Sequence, residues 1–589
     1  MSGHTWPLLP VTFLLLLASI AGTASAAAPV LQQAEDADTS AFQRVWERTD
    51  LPVAEGRANR SWIWGNPVTE PMTEPYGEFS DWPNTLPYDE RAVQYFDKAR
   101  MEITDTHVDP SETWYVTNGL LVVEMITGRL QTFDDRFLPL SPAHVNVAGD
   151  LDDPDSPTYA SLTGLLDAPP RPAGQPITAR LDRNGTVTTD DRFAAYAVET
   201  AFVEDATGHA IAEPFWDFMT STGTIWDGAN FVDAPLFQVP FYSTGYPITE
   251  AYWTKVKLAG VEQHVLLQCF ERRCLTYTPV NPEGFVVEAG NVGLHYYQWR
   301  YSPQPLAPDL HGEILYTDPD STNVVDHSGS RRILFAPEGE RIQSPALSPD
   351  GGRVAYVIAN ISSPWDANLY VADADGSNPR LLTTEEGEPI NSLPSQPWSP
   401  EGGRLLFVSD DGTISTIDVD SGAVQEIGPG GHPAWSPAGD RIAFIEWVGY
   451  SGEVLKTMNP DGSDVTEVIP GPVDWLSGSR LFNGYAWSPD GSRFVYLSAE
   501  RAGGNARFFQ TLYVVNADGS GNRQIEPPEV PGWHAGNTTG WDPGWTPDGR
   551  ALTYRQASVV YTIELDGSGA RGVLWDFEVA WIGDYFWTE

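Results

Sequence analysis

Lysine is scarce in this chain of 589 residues. Only four lysines occur, so arginine supplies nearly all of the 34 positive side chains, against 80 aspartates and glutamates. The formal net charge at pH 7 is therefore −46. Such an acidic surface keeps a secreted protein soluble and argues against binding to nucleic acid or to anionic membranes. This charge predicts a partner that is neutral or cationic.

The sequence motifs of three common enzyme classes are missing. The chain has no Gly-x-Ser-x-Gly motif of serine hydrolases, no His-Glu pair of the zinc-peptidase helix, and no Gly-x-x-x-x-Gly-Lys phosphate-binding loop. The acidic stretches Asp150–Asp155 and Asp373–Asn378 resemble calcium-binding loops but lack the distal glutamate of the full ligand set. These absences favour a protein that is not an enzyme.

Cysteine is limited to two residues, Cys269 and Cys274. The segments on either side of them have the composition of strands, and a short hairpin would bring the two Cα atoms within bridging distance. In an oxidising compartment this arrangement favours a disulfide. A redox or metal-binding pair is the alternative, but no histidine lies beside the cysteines to support it.

Long apolar runs are restricted to the N-terminus. Residues 1–26 have the features of a secretion signal, with the apolar run Val11–Ala18 and the small-residue cleavage motif Ala24–Ala26. The run is too short for a membrane-spanning helix. We therefore expect a protein that is periplasmic or extracellular and not an integral membrane protein, with a flexible segment over 27–38.

What the chain does contain is a repeat, present in five copies in its second half. Each copy has a short strand with a tryptophan or leucine, then a Ser/Thr-Pro-x-Gly turn and a second strand. An Asp-Gly-Ser turn between two further strand-like runs follows in most copies. Four antiparallel strands per copy are typical of a propeller blade. The marker residues of the five copies are Leu347, Trp398, Trp435, Trp487 and Trp545.

The spacing of the markers supports a ring of blades. They lie 51, 37, 52 and 58 residues apart, which is the length of a blade plus loop insertions. Gly312–Tyr316 and Phe577–Ile582 have the composition of single strands at opposite ends of the array, and together they would complete a sixth blade. This closure would remove the exposed sheet edges of an open ring. The sequence thus predicts a mainly β protein with a six-bladed propeller over 310–589.

The repeated phrase Pro-x-Trp-Ser-Pro-Asp-Gly-x-Arg, with its Asp-Gly-Ser hairpins, resembles the TolB-like, WD40-like (PD40) β-propeller repeats of bacterial proteins. The resemblance implies the fold of the C-terminal half. It implies little about function, because propellers serve as scaffolds, receptors and enzymes alike.

The first half of the chain has a different organisation. A proline-rich linker over 302–309 separates the propeller from a module over 39–301, and the two are expected to be separate folding units. Numerous turn signals favour an α+β or mainly β fold for this module. The predicted helices are Ala41–Arg48 and Glu213–Met219, and the predicted strands include Arg91–Phe96, Ala99–Ile103, Trp114–Val116, Leu120–Met125 and Trp253–Lys257.

Three aromatic-rich stretches of this module are similar to stretches in other secreted bacterial proteins, where no activity is assigned to them. They are Phe42–Trp46, Tyr246–Trp253 and Asn291–Tyr301. We expect most of these aromatic side chains to pack in the core. A surface on which glycans stack is the alternative.

A candidate binding site follows from the blade alignment. The residue three positions before each marker should lie at the mouth of the propeller channel, and this position holds His432, Asp542 and Glu578 in three blades. A histidine and two carboxylates could bind a ligand and could hold a divalent cation, although no cofactor is expected. Polar loop residues that are merely solvated are the alternative. The other blades carry Ser344, Ser395 and Gly484 at this position.

Two functions remain open at this point. The first is a secreted, non-catalytic binding or protein-interaction scaffold at the bacterial cell envelope or outside the cell, with a protein or glycan partner. The second is an extracytoplasmic, metal-dependent polysaccharide lyase or hydrolase that uses the propeller channel. The propeller histidines do not recur at one repeat position, which favours the first; they are His311, His327, His432 and His534.

Overall fold

A computed structural model describes most of the chain from residue 37 onward. The described ranges are 37–76, 90–133, 136–301, 313–317, 321–325, 331–335, 340–360, 363–382, 390–394, 396–409, 411–448, 452–469, 479–501, 508–525, 540–556, 559–575 and 585–588. The predicted signal segment, the linker over 302–309 and Glu578 lie outside these ranges. None of the helices in the described ranges is both long enough and apolar enough to cross a membrane.

The described C-terminal residues form six antiparallel sheets of four strands, which are the blades of a propeller. Strands of neighbouring sheets contact each other all the way around, so the sheets form a ring. This confirms the mainly β fold and the predicted propeller. From the innermost strand outward, the strands are Tyr585–Thr588, Glu313–Thr317, Ser321–Val325 and Arg331–Phe335 in blade 1; Glu340–Leu347, Arg353–Asn360, Ser363–Asp373 and Arg380–Leu381 in blade 2; Ile390–Ser392, Arg404–Ser409, Thr413–Asp418 and Val424–Pro429 in blade 3; Gly431–Trp435, Ile442–Val448, Gly452–Met458 and Thr466–Ile469 in blade 4; Ser479–Trp487, Arg493–Arg501, Phe508–Asn516 and Arg523–Ile525 in blade 5; and Gly540–Trp545, Ala551–Gln556, Val559–Glu564 and Arg571–Trp575 in blade 6.

Blade 1 is built from both ends of the propeller sequence. Its innermost strand, Tyr585–Thr588, pairs antiparallel with Glu313–Thr317. A C-terminal strand closes the ring, as predicted, but the strand that does so is not the predicted one. The predicted segment, Phe577–Ile582, lies outside the described residues, and the strand that pairs begins at Tyr585.

The turn of the repeated phrase shares one hydrogen bond in blades 2 to 6, from a backbone N–H to the hydroxyl of its serine or threonine. In blade 2 the Ser348 hydroxyl accepts a hydrogen bond from the backbone N–H of Arg353 at 2.9 Å and donates one to Asp350 at 2.6 Å. Gly351 has a φ of +66°, a conformation that residues with a Cβ rarely adopt. The residues that take the place of Ser348 and accept the same backbone bond are Ser399, Ser436, Ser488 and Thr546.

The repeat tryptophans are buried between adjacent blades. The indole N–H of Trp398 donates to the carbonyl oxygen of Ala346 in the preceding blade at 2.9 Å. The guanidinium group of Arg353, also in the preceding blade, lies 5.5 Å from the centre of the Trp398 ring. The same cation–π contact joins Arg404 to Trp435 and Arg493 to Trp545. The repeated arginine and tryptophan therefore connect one blade to the next.

The described part of the N-terminal module combines small sheets with short helices. The helices are Ser40–Thr49, Leu51–Ala54, Leu121–Thr127, Glu213–Met219 and Val292–Tyr301, with 3₁₀ turns at Ala160–Leu165 and Asp191–Tyr196. A four-stranded sheet has the strand order Met72–Pro75, Glu90–Phe96, Ala99–Ile103 and Thr117–Asn118. A six-stranded sheet has the order Val287–Ala289, Cys274–Tyr277, Val261–Cys269, Tyr252–Leu258, Ala179–Leu181 and Val187–Thr189. Three hairpins are formed by Arg129–Phe133 with Arg136–Pro139, Thr200–Val203 with Ala210–Ala212, and Thr222–Trp226 with Phe231–Pro235.

Two predicted strands of this module are wrong. Leu120–Met125 lies mostly in a helix, Leu121–Thr127, because its apolar residues also fit a helical period. The helix ends at Gly128, whose φ of +66° is typical of a helix C-terminus. Trp114–Val116 precedes the short strand Thr117–Asn118 and is not itself a strand. A short apolar run does not distinguish a strand from a buried helix.

Most of the aromatic residues in the three similar stretches are in the core, as expected. Phe42, Trp253, Tyr296 and Trp299 are fully buried, whereas Tyr246 is exposed. The sulfurs of Cys269 and Cys274 are bonded, and these residues lie opposite each other in adjacent strands.

A cluster of buried charges connects the four-stranded sheet to two helices. The carboxylate of Glu74 lies 3.2 Å from Arg100, 3.3 Å from Arg91 and 3.5 Å from Arg300. Burial alone would raise the pKa of Glu74, but the positive charges of the arginines outweigh it and hold this pKa far below its usual value. The cluster also contains the buried carboxylates of Glu102 and Glu124.

The N-terminal module contacts blade 6. The hydroxyl of Ser141 donates to the carbonyl oxygen of Gly572 at 2.9 Å. A side chain on Gly572 would meet Leu140 at 2.9 Å and the carbonyl oxygen of Pro139 at 3.2 Å, so the two surfaces are in close contact there. Whether the two halves fold separately stays a prediction.

Replacing Trp435 by alanine should lower the free energy of unfolding by about 3–5 kcal/mol, because the ring fills the space between blades 3 and 4. Urea or thermal unfolding of the purified protein measures this change. Trp114→Ala is the matched control, since the Trp114 side chain is 49% exposed and its loss should cost far less. Equal stability of the two variants would contradict a packing role for Trp435.

Removing residues 585–589 should open the ring and lower the melting temperature markedly, because Glu313–Thr317 would lose its inner partner strand. Differential scanning calorimetry compares this variant with one that lacks residues 27–31, in the predicted flexible segment. A truncated protein that melts like the intact one would show that this pairing does not hold the ring closed.

Stability should fall as the pH drops from about 6.5 to about 4, in part because of His295. Burial, with a smaller effect from the Lys98 charge, lowers the pKa of His295 from 6.5 to about 4. Between these two pH values the unfolded chain binds a proton at His295 that the folded protein does not bind. The contribution of neutral His295 to the free energy of unfolding is therefore complete above pH 6.5 and falls on acidification, by at most about 3 kcal/mol. His295→Gln should flatten the profile of unfolding free energy against pH in this window. The control His107→Gln, at a side chain that is 96% exposed, should leave it unchanged.

Candidate functional site at the channel mouth of the propeller

The innermost strands of four blades are interrupted at the same point of the repeat. The register of pairing shifts after Gln343 in blade 2, Gly431 in blade 4, Leu481 in blade 5 and Trp541 in blade 6. In blades 2, 4 and 6 two residues of the inner strand face one residue of its neighbour. Such a β-bulge takes a residue out of the ladder and redirects its side chain.

A proline explains the bulge in three of these blades. Pro345, Pro433 and Pro543 each lie two residues before the marker, at the second position of the bulge. Because proline has no N–H to donate, it cannot continue the ladder and is tolerated within sheets mainly at edges and bulges. The proline at this position could have predicted the bulges from the sequence. The alignment of the repeats did not predict them.

In blades 2, 4 and 6 the first residue of the bulge is at the position predicted to line the channel mouth, and in blade 5 the last of three unpaired residues is. Ser344 and His432 have φ values of +46° and +49°, and Gly484 in blade 5 has a φ of +144°. Asp542 has the equivalent place in blade 6, and only its backbone is described. Ser395 and Glu578 lie outside the described residues. The structure therefore puts four of the six predicted positions at one level of the ring.

Two glycines make room for the segment around His432. A side chain on Gly430, whose φ is +154°, would meet Phe444 at 2.7 Å and Ile414 at 2.9 Å. A side chain on Gly431 would come within 2.1 Å of the Trp447 ring. Trp447 thus lies directly against the strand that carries His432, and 51% of it is exposed. The repeat alignment did not identify this aromatic side chain, because it lies on the second strand of the blade.

The backbone of His432 is held by the next blade. Its carbonyl oxygen accepts a hydrogen bond of 2.6 Å from the hydroxyl of Tyr485. Burial raises the pKa of Tyr485 well above its ordinary value, so this hydroxyl remains a donor. The side chain of His432 is partly exposed, but the surrounding protein removes enough water to lower its pKa. Its imidazole is therefore neutral at pH 7, and can both donate and accept a hydrogen bond.

The predicted residues are not brought together in one blade. His432 belongs to blade 4 and Asp542 to blade 6, with blade 5 and Gly484 between them. Among the described residues, no group of three or more histidine, cysteine, aspartate or glutamate side chains could hold a metal ion. Since the side chains of Asp542 and Glu578 are outside this description, a cation site made by His432, Asp542 and Glu578 remains a prediction.

A family model matches part of the propeller. Residues 322–530 match the family model PD40, described as the TolB beta propeller domain. The solved structure of TolB from Acinetobacter baumannii superimposes with a TM-score of 0.37 and 16% identity, covering 57% of this chain and 82% of that protein.

Two sequence relatives match parts of the chain. An uncharacterized protein of Agrobacterium fabrum, Atu1656, is 29% identical over 167 residues, which are 26% of this chain and 52% of that protein. Tricorn protease homolog 1 of Streptomyces coelicolor is 25% identical over 295 residues, which are 46% of this chain and 25% of that protein. The chain thus spans about half of the first relative and a quarter of the second. The described residues between 313 and 588 form a six-bladed β-propeller, and residues 322–530 of it match the TolB beta propeller domain.

Proposed function

We propose that this protein is a secreted, non-catalytic binding protein, and that the channel mouth of the propeller is its recognition surface. The surface consists of the bulged residues of the inner strands, led by His432, together with the adjacent ring of Trp447. The rest of the propeller holds these residues in place.

The observation that carries the proposal is the bulge that recurs in four blades. The backbone is interrupted at the same point each time, but the released residue is a serine, a histidine, a glycine or an aspartate. A uniform frame that presents dissimilar side chains suits recognition of an asymmetric partner. Rigid scaffolds that position variable contact residues are a common way to build binding sites.

The chemistry of this surface suits a protein or a glycan of the cell envelope. The half-exposed Trp447 offers an apolar face on which a sugar ring or an aliphatic side chain can pack. The neutral imidazole of His432 can exchange hydrogen bonds with hydroxyl or amide groups. The net charge of −46 disfavours anionic partners. Export to the periplasm or the cell exterior, inferred from residues 1–26, would place the protein beside such partners.

A metal-dependent polysaccharide lyase or hydrolase is the second candidate. His432 favours it, because a neutral imidazole is the form that binds a metal ion or accepts a proton. Asp542 is at the equivalent position of blade 6, two blades away, and would supply a carboxylate. A divalent cation would polarise the substrate's oxygen atoms when it is bound there.

Binding to purified cell-envelope material should weaken in the variants His432→Ala and Trp447→Ala. Sedimentation with peptidoglycan sacculi and a solid-phase screen of glycans and envelope proteins would measure the bound fraction. We expect a loss of about tenfold or more in affinity for Trp447→Ala, since the variant removes the exposed aromatic face. Tyr196→Ala, at an aromatic side chain of the N-terminal module that is 42% exposed and lies at neither candidate site, is the matched control.

Melting temperatures of the variants separate a loss of binding from a loss of folding. Unchanged binding in both propeller variants would exclude the channel mouth as the recognition surface. Turnover of a polysaccharide that stops on adding a chelator, and that is lost in His432→Ala or Asp542→Asn, would instead establish the second candidate.

A further inference from the structure

We infer that the N-terminal module contains a second, separate binding site, a cavity that takes a short neutral oligosaccharide. The cavity has a volume of about 410 Å³ and lies between the first helix, Ser40–Thr49, and the hairpin of Thr222–Trp226 and Phe231–Pro235. This volume is in the range of about 300–1,000 Å³ that is usual for small-molecule sites. The site goes beyond the proposed function of the propeller and does not depend on it.

Four large aromatic side chains contribute to the apolar part of the cavity wall. Trp64, Trp226, Phe237 and Tyr242 line it. Beside it, the ring of Trp114 lies 5.3 Å from that of Tyr242 and is 49% exposed. The half-exposed ring of Trp114 provides a flat apolar surface at the edge of the cavity. Sugar rings can pack their C–H faces on such surfaces.

The aromatic wall is fixed by contacts behind it. The hydroxyl of Tyr242 donates to the carbonyl oxygen of Val116 at 2.7 Å. The guanidinium group of Arg273 lies 4.4 Å from the centre of the Trp64 ring. The Trp64 ring in turn meets the Tyr242 ring edge to face, with 6.3 Å between the ring centres. A site held in this way is formed before its ligand arrives, which lowers the entropy cost of binding.

Polar groups of the wall have unmet hydrogen-bonding capacity. The hydroxyl of Thr49, the indole N–H of Trp64 and the Nε–H of Arg48 are buried, and none of them has a hydrogen-bond partner within the described part of the chain. Thr49 and Trp64 are both at least 95% buried. Buried polar groups without partners are costly. Because these atoms have almost no accessible surface, their side chains must turn for the oxygen acceptors of a ligand to reach them, and such contacts would relieve this cost.

The charges around the cavity select a neutral ligand. Glu47, Glu112 and Asp227 contribute three carboxylates, against the two guanidinium groups of Arg44 and Arg48. Arg44 is already paired with Asp38 at 3.0 Å. An anionic ligand would therefore meet a small excess of negative charge, and a cation would meet the two arginines. Mixed carboxylate and guanidinium groups suit hydroxyls, which both donate and accept.

Aromatic side chains, unpaired polar groups and charges of both signs together match the two sides of a sugar, one apolar and one rich in hydroxyls. A peptide would match the aromatic wall as well, but its backbone offers only one donor and one acceptor per residue, whereas a sugar ring carries several hydroxyls that each donate and accept, as the mixed carboxylate and guanidinium groups of this wall require. The oligosaccharide is therefore the ligand class that we assign.

The test uses the full mature protein and four soluble probes, the neutral sugars cellotetraose, maltotetraose and chitotetraose and the anionic tetragalacturonate. Titration calorimetry and tryptophan fluorescence should detect binding of at least one neutral probe and weaker binding of the anionic one. Trp114→Ala should weaken this binding about tenfold, and Glu112→Gln should weaken it measurably. Both side chains are exposed, so both variants should fold. Trp447→Ala, at the propeller, should leave it unchanged.

Each result has a distinct meaning. If none of the neutral probes binds in the millimolar range, or if binding is the same in Trp114→Ala and the wild type, the site is not a saccharide site. Binding that is lost only in Trp447→Ala would place the sugar at the channel mouth, which would support the proposed function and overturn this inference. Loss of envelope binding in Trp447→Ala while the tetrasaccharides still bind would leave both in place.

Discussion

The antiparallel pairing of Tyr585–Thr588 with Glu313–Thr317 joins the two ends of the propeller, and the arrangement of the other blades depends on it. A blade buries its faces only against its two neighbours, so a gap anywhere in the ring would expose two of them. The buried tryptophans show that the hydrophobic core is shared between neighbouring blades, since each of them fills a space whose walls belong to two blades. The hydrogen bond from Tyr485 to the backbone of His432 likewise crosses a blade boundary. Closure therefore fixes the position of residues that are far from the closing strand.

At the candidate site, the bulges interrupt the regular strand pairing that makes the ring rigid. Regular pairing holds the inner strands in the ring, whereas the bulges release one residue per strand from that pairing. At His432 the interruption is supported on both sides, by two glycines that admit the Trp447 ring and by a tyrosine from the next blade. The backbone there adopts a positive φ that a non-glycine residue rarely has. Such a conformation persists only where the surroundings enforce it, as they do here.

The propeller could be predicted from the sequence because its signals are local and repeated. Turn residues, the marker tryptophans and the level of His432 in the ring all follow from five aligned copies of one phrase. The closing strand could not be located in this way, because blade 1 is incomplete at both ends and carries no full phrase. Trp447 was missed because its importance comes from contact with Gly431 on another strand. In the N-terminal module, Leu121–Thr127 has the same apolar composition as a strand, and only its packing shows that it is a helix. The cavity beside Trp64 and Trp226 brings together residues more than 150 positions apart, which no local pattern reveals.

The buried charges around Glu74 bear on how the N-terminal module folds. They come from three strand segments and two helices, and each charge is acceptable in the interior only when its partners are present. A partly folded form that lacked the helix carrying Arg300, for example, would leave Glu74 with fewer positive neighbours while the sheet still shields it from much of the solvent. Intermediates of this kind are therefore raised in free energy relative to both the folded and the unfolded chain. The cluster should thus make the assembly of this module all-or-none, so that its last helix is in place whenever its first sheet is.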